Sequence, residues 1–200
     1  MERARGEFVW IAEADDLSRP NFLNRVVRRM VESNAVIGFC DSWQVDETGR
    51  VIGSSYREYM AGSQSGAFDR SFVMSGSEFL GRFLSVRNVI LNVSGVVFRR
   101  QALLTALDRL GQDLFRYKVA GDWRIYVEMC ASGGRVAYES EPLNGHRRHS
   151  RSVTHSLAAR RHLDEIQEVH AVCRRIMPQA DIEAAQAAYI RHVIPMLGLE

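Results

Sequence analysis

Lysine is all but missing from this chain. Lys118 is the only one, and every other basic residue is arginine. A GC-rich coding sequence accounts for that cheaply. Arginine also suits diphosphate binding, but composition alone does not argue for it. Cysteine is scarce too. Cys40, Cys130 and Cys173 make an odd count with no CxxC spacing, which argues against a disulfide framework and against a zinc site. Three scattered thiols fit a reduced, cytosolic setting. No apolar run is long enough to span a bilayer. The longest, Val86 to Phe98, is broken by Arg87, Asn88, Asn92 and Ser94. Met1-Glu-Arg-Ala-Arg lacks the apolar stretch of a signal peptide. An excess of either charge is also missing. A net charge of +2, with no known binding motif, makes nucleic acid a poor partner.

What is present is ordinary globular material. The 200 residues, 46% apolar and 25% charged, suffice for one domain with a real core, or one domain and a small appendage. Glu7 to Ala12 reads as a buried strand. Ser18 is a good helix N-cap and Pro20 suits a first turn. Phe22, Leu23, Val26, Val27, Met30 and Val31 then recur at helical spacing, so the pattern predicts a helix over 19–33. Ala35 to Cys40 reads as a strand, and Asp46-Glu-Thr-Gly49 as a hairpin turn between 42–45 and 50–53. Residues 54–74 are polar and rich in Gly and Ser, which predicts a long loop. Ser75-Gly-Ser-Glu78 is a capping box opening a helix to about Leu84. Asn88 to Phe98 is strand-like, with Ser94-Gly95 at its middle as a bulge or a close backbone approach. A helix over 99–110, a second from Gly121 to Gly133-Gly134, and a strand over Arg135–Glu139 follow. His146 to His155 reads as a basic loop. The tail carries two helices, one with Leu163, Ile166, Val169, Cys173 and Ile176 on a face, the next capped by Asp181. Strands alternating with helices predict an α/β layered domain, with a helical appendage behind it.

Three stretches carry chemistry. The first strand stops abruptly in Glu13, Asp15 and Asp16. Such a cluster at the carboxyl end of a strand lies where open α/β sheets bind ligands, and a hard divalent cation relieves the repulsion among the acids. The plainer reading is a solvated turn whose acids favour the next helix's N-terminus. The second is Gly121-Asp122-Trp123, where Asp122 is either a general base or an ordinary N-cap. Trp123 is either the wall of a sugar pocket or core. The third is His146, Arg147, Arg148, His149 and Arg151, with hydroxyls at Ser150, Ser152 and Thr154. Its arginines are either phosphate ligands or a solvated basic loop.

The ordered series of these segments resembles family 2 glycosyltransferases, the inverting GT-A type, over about residues 5–155. The matching stretches are Gly6-Glu-Phe-Val-Trp-Ile-Ala-Glu-Ala-Asp-Asp16 and Val93-Ser-Gly-Val-Val-Phe-Arg-Arg-Gln-Ala-Leu103. Gly121-Asp122-Trp123, Pro142-Leu143 and the Arg-Arg-His-Ser loop complete the series. The resemblance implies a partial GT-A-like mixed sheet flanked by helices over 1–155, with a helical tail over 156–200. It implies transfer of a sugar from a nucleotide-sugar donor to the hydroxyl of a carbohydrate or other acceptor, with inversion, in cell-surface polysaccharide work. Asp15 and Asp16 would hold Mg²⁺ or Mn²⁺, and Glu13 would contact the nucleotide or the metal's surroundings. Asp122 would deprotonate the acceptor in the same cleft as Asp15. Arg148 and His149 would bind the diphosphate, with Trp123 beside the substrate. The expected location is cytoplasmic, or peripheral to the inner face of the membrane.

The chain departs from the family pattern in three places. Glu13 stands where Asp is usual, and Gly121 where an acid is usual. Little sequence precedes the acidic strand, where the family carries a nucleotide-binding βαβ half. A fragment is therefore expected, with a bare strand edge that self-associates or joins a separate half. The alternative is a noncatalytic α/β module that binds carbohydrate or a partner protein.

Overall fold

The computed structural model describes residues 4–62, 64–148, 159–178 and 180–199. In chain order the elements are β1 (Phe8–Trp10), β2 (Leu17–Ser18), α1 (Phe22–Ser33), β3 (Ile37–Val45), β4 (Val51–Gly53), α2 (Arg57–Ala61), β5 (Phe72–Ser75) and α3 (Gly76–Phe79). A π turn (Leu80–Leu84) continues α3, and a 3₁₀ turn (Val93–Gly95) leads into β6 (Val96–Arg99). Then come α4 (Arg100–Leu110), a 3₁₀ turn (Gly111–Arg116), α5 (Gly121–Ala131), β7 (Arg135–Arg147), α6 (Ala159–Ile176) and α7 (Ala180–Met196).

One mixed sheet holds all seven strands. Its order is β1-β6-β3-β7-β2, with β4 added to β3 and β5 added to β7. β6 runs antiparallel to both β1 and β3. β3 and β7 run parallel from Ile37↔Val136 to Val45↔Arg147, with the register slipping around Asp41 and Pro142. Proline supplies no ladder N–H, so an irregularity there is the expected response. Helices cover both faces. Phe22, Val26 and Met30 of α1 pack on Cys40, Val97, Ala137 and Leu143. The opposite face meets a larger core of Phe39, Phe79, Phe98, Tyr126 and Tyr138, which also takes in Ile166, Val169 and Cys173 of α6 and Val193 of α7. Cys40, Cys130 and Cys173 are all buried with free thiols. Among the described residues no helix is long and apolar enough to cross a membrane.

Local sequence accounts for most of these elements. Met30 carbonyl takes the Ala35 N–H at 2.9 Å, and Asn34 turns left-handed at φ 52°. That is how a helix closes its last carbonyls before a strand. The hairpin forms where expected: Asp46 Oδ1 accepts from Thr48 N and Arg50 N, and Gly49 takes φ 89°. Ser75 caps α3 by accepting the Glu78 N–H at 3.1 Å.

Several expectations fail for identifiable reasons. Ser18 is no helix cap; it is held extended in β2 opposite Asn144, and α1 begins at Phe22. The strand expected over Glu7 to Ala12 is only Phe8–Trp10, half-buried at the sheet's edge, because β6 takes only one of its sides. Residues 54–74 are not one loop. Asp41 accepts from Tyr56 N and Ser55 Oγ and pairs with Arg57, which starts α2. Phe68 and Phe72 sink into an aromatic cluster with Tyr138, and Phe72 opens β5. In 88–98 only Val96 onward is strand, since Asn92 Oδ1 accepts the Ser94 N–H and tightens the chain into a 3₁₀ turn. Finally, β7 runs on to Arg147, so His146 and Arg147 sit on a strand rather than in the basic loop.

Met30 is fully buried against Gly38 between α1 and the sheet. Met30→Ala should therefore cost about 2–5 kcal/mol through lost burial and a residual cavity. In urea melts the midpoint should fall while the slope stays constant.

Candidate functional site

The loop from Glu13 to Leu17 is clamped at both ends by buried polar groups. At its start, Trp10 Nε1 donates to Ser94 O at 2.8 Å, and the Glu13 N–H donates to Ser94 Oγ at 2.9 Å. At its end, Asn144 Nδ2 donates to Leu17 O at 3.0 Å. The two anchors are joined: Asn144 Oδ1 accepts from Asn92 Nδ2 at 2.7 Å and from Ser42 Oγ at 3.2 Å. Asn92 in turn fixes the Ser94 turn. In the sequence Ser94 reads only as part of the Ser94-Gly95 bulge or close approach and Asn92 only as a break in an apolar run, while Ser42 and Asn144 carry no signal of their own.

Arg147 grips the acids themselves. Its backbone N–H donates to Asp16 Oδ1 at 2.9 Å, and its Nε to the Asp15 carbonyl at 2.8 Å. Asp16 Oδ2 is buried and has no hydrogen-bond partner. Removal of the Glu13 carboxyl from water raises its pKa, and the charges of Asp16, Asp15 and Asp122 raise it further. Four carboxylates from two distant stretches thus share one electrostatic neighbourhood. Among the described residues, no three His, Cys, Asp or Glu side chains gather closely enough to hold an ion unaided.

Asp122 is the second residue of α5. Its Oδ1 accepts the Trp123 N–H at 2.6 Å, and its Oδ2 accepts from Asn88 Nδ2 at 3.3 Å. Burial pushes the carboxyl up to about 6 against the pull of those two donors. One turn along α5, the Tyr126 hydroxyl is buried without a partner and feels the charges of Asp122 and Glu13.

The remaining expected residues divide. Trp123 is 3% exposed, with Nε1 bonded to Leu84 O and its ring edge-on to His170. It fills the core, so its expected contact with a sugar lacks an open face. Arg148 is exposed on a backbone N–H bonded to Val45 O at 2.7 Å. Its charge opposes the burial that drives the Tyr56 hydroxyl up to about 12, and Tyr56 itself is 2.9 Å from His146 Nδ1. His149, Ser150, Arg151 and the rest of the basic loop to His155 lie outside the described residues. The residue seen holding the acidic loop is Arg147, its neighbour. Two clefts of about 330 and 530 Å³ lie elsewhere, one among α4, α5 and α6, the other between α2 and α7.

This chain belongs to the glycosyltransferase like family 2, whose family model matches residues 1–187. Among solved structures it is similar to S. aureus TarS 1-349, crystallised in complex with UDP-GlcNAc. The TM-score is 0.55 at 14% identity, covering 94% of this chain and 50% of that one. The likeness is one of fold, a mixed sheet flanked by helices, and the chain spans about half the length of that structure. No curated protein matches it in sequence.

The raised carboxyl of Asp122 has a stability consequence. The unfolded chain titrates near 3.8 and the folded one at about 6. The protonated form is thus the one folding favours, and that stability is lost as pH rises through about 6. Asp122→Asn, neutral throughout, should melt above the parent at pH 8 and together with it below pH 3.8. Scanning calorimetry at the two pH values checks the sign.

Proposed function

We propose that this chain is the metal- and acceptor-side portion of an inverting transferase that uses a nucleotide-sugar donor. The observation carrying this reading is the convergence of Asp122 on the Glu13–Asp16 loop, felt as a charge at Glu13. Membership of the family and the likeness to a fold crystallised with UDP-GlcNAc support a donor of that class.

In this mechanism Asp122 accepts the proton of the acceptor hydroxyl. The freed oxygen attacks the anomeric carbon from the face opposite the leaving group, and the bond to the diphosphate breaks with its electron pair leaving on the phosphate oxygen. A carboxyl near 6 suits this work: it is mostly ionised at neutral pH yet basic enough to take a proton. Trp123 N–H and Asn88 fix which way it points. The Glu13–Asp16 loop has the hard oxygen donors that Mg²⁺ or Mn²⁺ takes. Asp16 Oδ2, buried and unpartnered, is the oxygen best prepared for such an ion. Asp15 and Asp16 would hold the ion together with diphosphate oxygens, since the protein side chains alone do not complete a site. Once bound, it would offset charge developing on the leaving diphosphate. Glu13, Arg148 and His149 are assigned to the donor's phosphate side, with Arg147 added as the residue that shapes the loop.

β1 pairs with β6 alone among the described strands, so its other edge is open to a further strand. We assign the donor's base to additional polypeptide joining there, or to a second copy of this chain. Light scattering of the purified chain reads the second case directly.

The central test is Asp122→Asn in the assembled enzyme, with the polypeptide or second copy that completes the donor site present. Transfer from a panel of nucleotide sugars, with Mn²⁺ present, should fall by at least about 10²-fold, the usual worth of a general base. Donor binding by calorimetry should be unchanged. In the parent, the acid limb of kcat/KM, which reports the free enzyme, should bend near pH 6, with rate lost as protons fill Asp122. Equal loss of transfer and donor binding would assign Asp122 to structure. Unchanged transfer would leave the noncatalytic module as the better reading.

A further inference from the structure

The two tail helices do more than cover the core. Glu165 of α6 is 3% exposed, and its carboxylate is spent on the peptide just ahead of α5. Oε2 accepts the N–H groups of Lys118, Val119 and Ala120 at 3.0, 2.9 and 3.0 Å, and Oε1 lies 2.9 Å from the Lys118 nitrogen. Arg161 Nε closes the far side at 3.2 Å. These N–H groups precede a helix and have no intrahelical partners, so a carboxylate is the acceptor they favour. Burial drives the Glu165 carboxyl up, but the three N–H donors and Arg161 outweigh it and hold it below the ordinary range. Two residues beyond this cradle is Asp122.

The second approach to Asp122 is held by the same tail. Asn88, which donates to Asp122, follows a stretch of carbonyls that the tail captures in succession. Gln186 Nε2 donates to Ser85 O at 2.7 Å, and the His170 Nε2 lies 2.7 Å from Val86 O. His170 is 2% exposed and also packs against Trp123. Trp123, bonded to Leu84 O, ties the two peptides together.

We propose that Glu165 is a positioning residue for Asp122: its carboxylate sets the first turn of α5 and so the direction in which the base points. The inference rests on reading Asp122 as the base. Its mechanism is geometric. Three N–H groups converging on one oxygen fix the backbone of Lys118–Ala120, and a base displaced by about 1 Å loses on the order of 10²-fold in rate. Glutamine at this position keeps the length and one acceptor oxygen but removes the charge and sets an amide against the Lys118 N–H. Alanine removes everything.

The experiment is amide hydrogen exchange by NMR on the ¹⁵N-labelled full chain, comparing the parent with Glu165→Gln and Glu165→Ala. The expected result is local. Exchange at Lys118 to Trp123 accelerates at least about tenfold in Glu165→Ala, as the loss of one charge-assisted hydrogen bond requires. It accelerates less in Glu165→Gln, and sheet amides such as Phe39 hold their parental rates. The Trp123 amide is the decisive probe, because it donates to Asp122 itself. In transfer assays kcat should fall in the same order while KM for the donor stays within about twofold, the pattern of a misdirected base rather than lost binding. Unchanged exchange at 118–123, or a uniform acceleration across α6 and the sheet, would overturn the proposal, the latter reducing Glu165 to a general anchor. Local acceleration with an unmoved Trp123 amide would overturn it equally. Asp122→Asn run in parallel separates the two readings. Full turnover in that variant would refute the base and with it the catalytic half of this inference, while exchange still judges the clamp.

Discussion

Asn144 is a carboxamide with no exposure at all, and everything near the acidic loop has to accommodate it. A buried amide left without partners costs on the order of 1–3 kcal/mol. Its oxygen is satisfied by Asn92 and Ser42, and its nitrogen by the Leu17 carbonyl. Those partners come from the turn before β6, from β3 and from the end of the acidic loop. Three stretches distant in sequence can be brought together only if the β3–β7 register is the observed one, because Asn144 lies opposite Ser42 in that ladder. A slip of one residue would turn Asn144 to the other face. The loop's position is therefore a consequence of sheet register rather than of its own sequence.

That constraint explains how a concentration of carboxylates is tolerated. Left in a free turn, Glu13, Asp15 and Asp16 would swing apart into water. The Ser94 and Asn144 anchors prevent it, and Arg147 compensates from β7 with a backbone N–H on Asp16 and its guanidinium on the Asp15 carbonyl. The compensation is incomplete. Asp16 Oδ2 keeps no partner, and burial first, then the neighbouring charges, raise the Glu13 pKa.

The layered α/β architecture was legible because it rests on periodicity and local signals: the α1 stripe, the Asp46–Gly49 hairpin and the Ser75 N-cap each formed, although the Glu78 carboxylate turns to Arg82 instead of closing a capping box. What stayed hidden was decided by contacts between distant residues. Phe72 reads as part of a polar loop until Tyr138 is placed beside it. Asn92 looks like any polar residue in a strand until its side chain curls back on Ser94. The acids Glu13, Asp15, Asp16 and Asp122 could be singled out by type and position, but not the groups that hold them. Ser94, Asn144, Asn88 and Glu165 act through geometry that no spacing reveals. Trp123 illustrates the converse. An aromatic beside an acid drew attention as a substrate wall, and the packing of α6 made it core.

The direction of the chain then decides where these pieces meet. β3 and β7 run parallel, so α5, which leads into β7, must travel back along the sheet. Its N-terminus lies toward the end where β3 and β7 finish, and its C-terminus toward the end where β7 begins. β1 points the same way as β3, because both are antiparallel to β6. The carboxyl end of β1, the carboxyl end of β7 and the amino end of α5 are thereby committed to one side of the sheet. That side is where such sheets take ligands. The acidic loop issues from the first, Arg147 and Arg148 from the second, and Asp122 from the third. Each is fixed by different physics: the loop by a buried amide network, the arginines by the strand ladder, the carboxyl of Asp122 by helix packing and backbone N–H groups. Because the holds are independent, a substitution in one need not release the others, and the chemistry assigned to each can be separated by mutation.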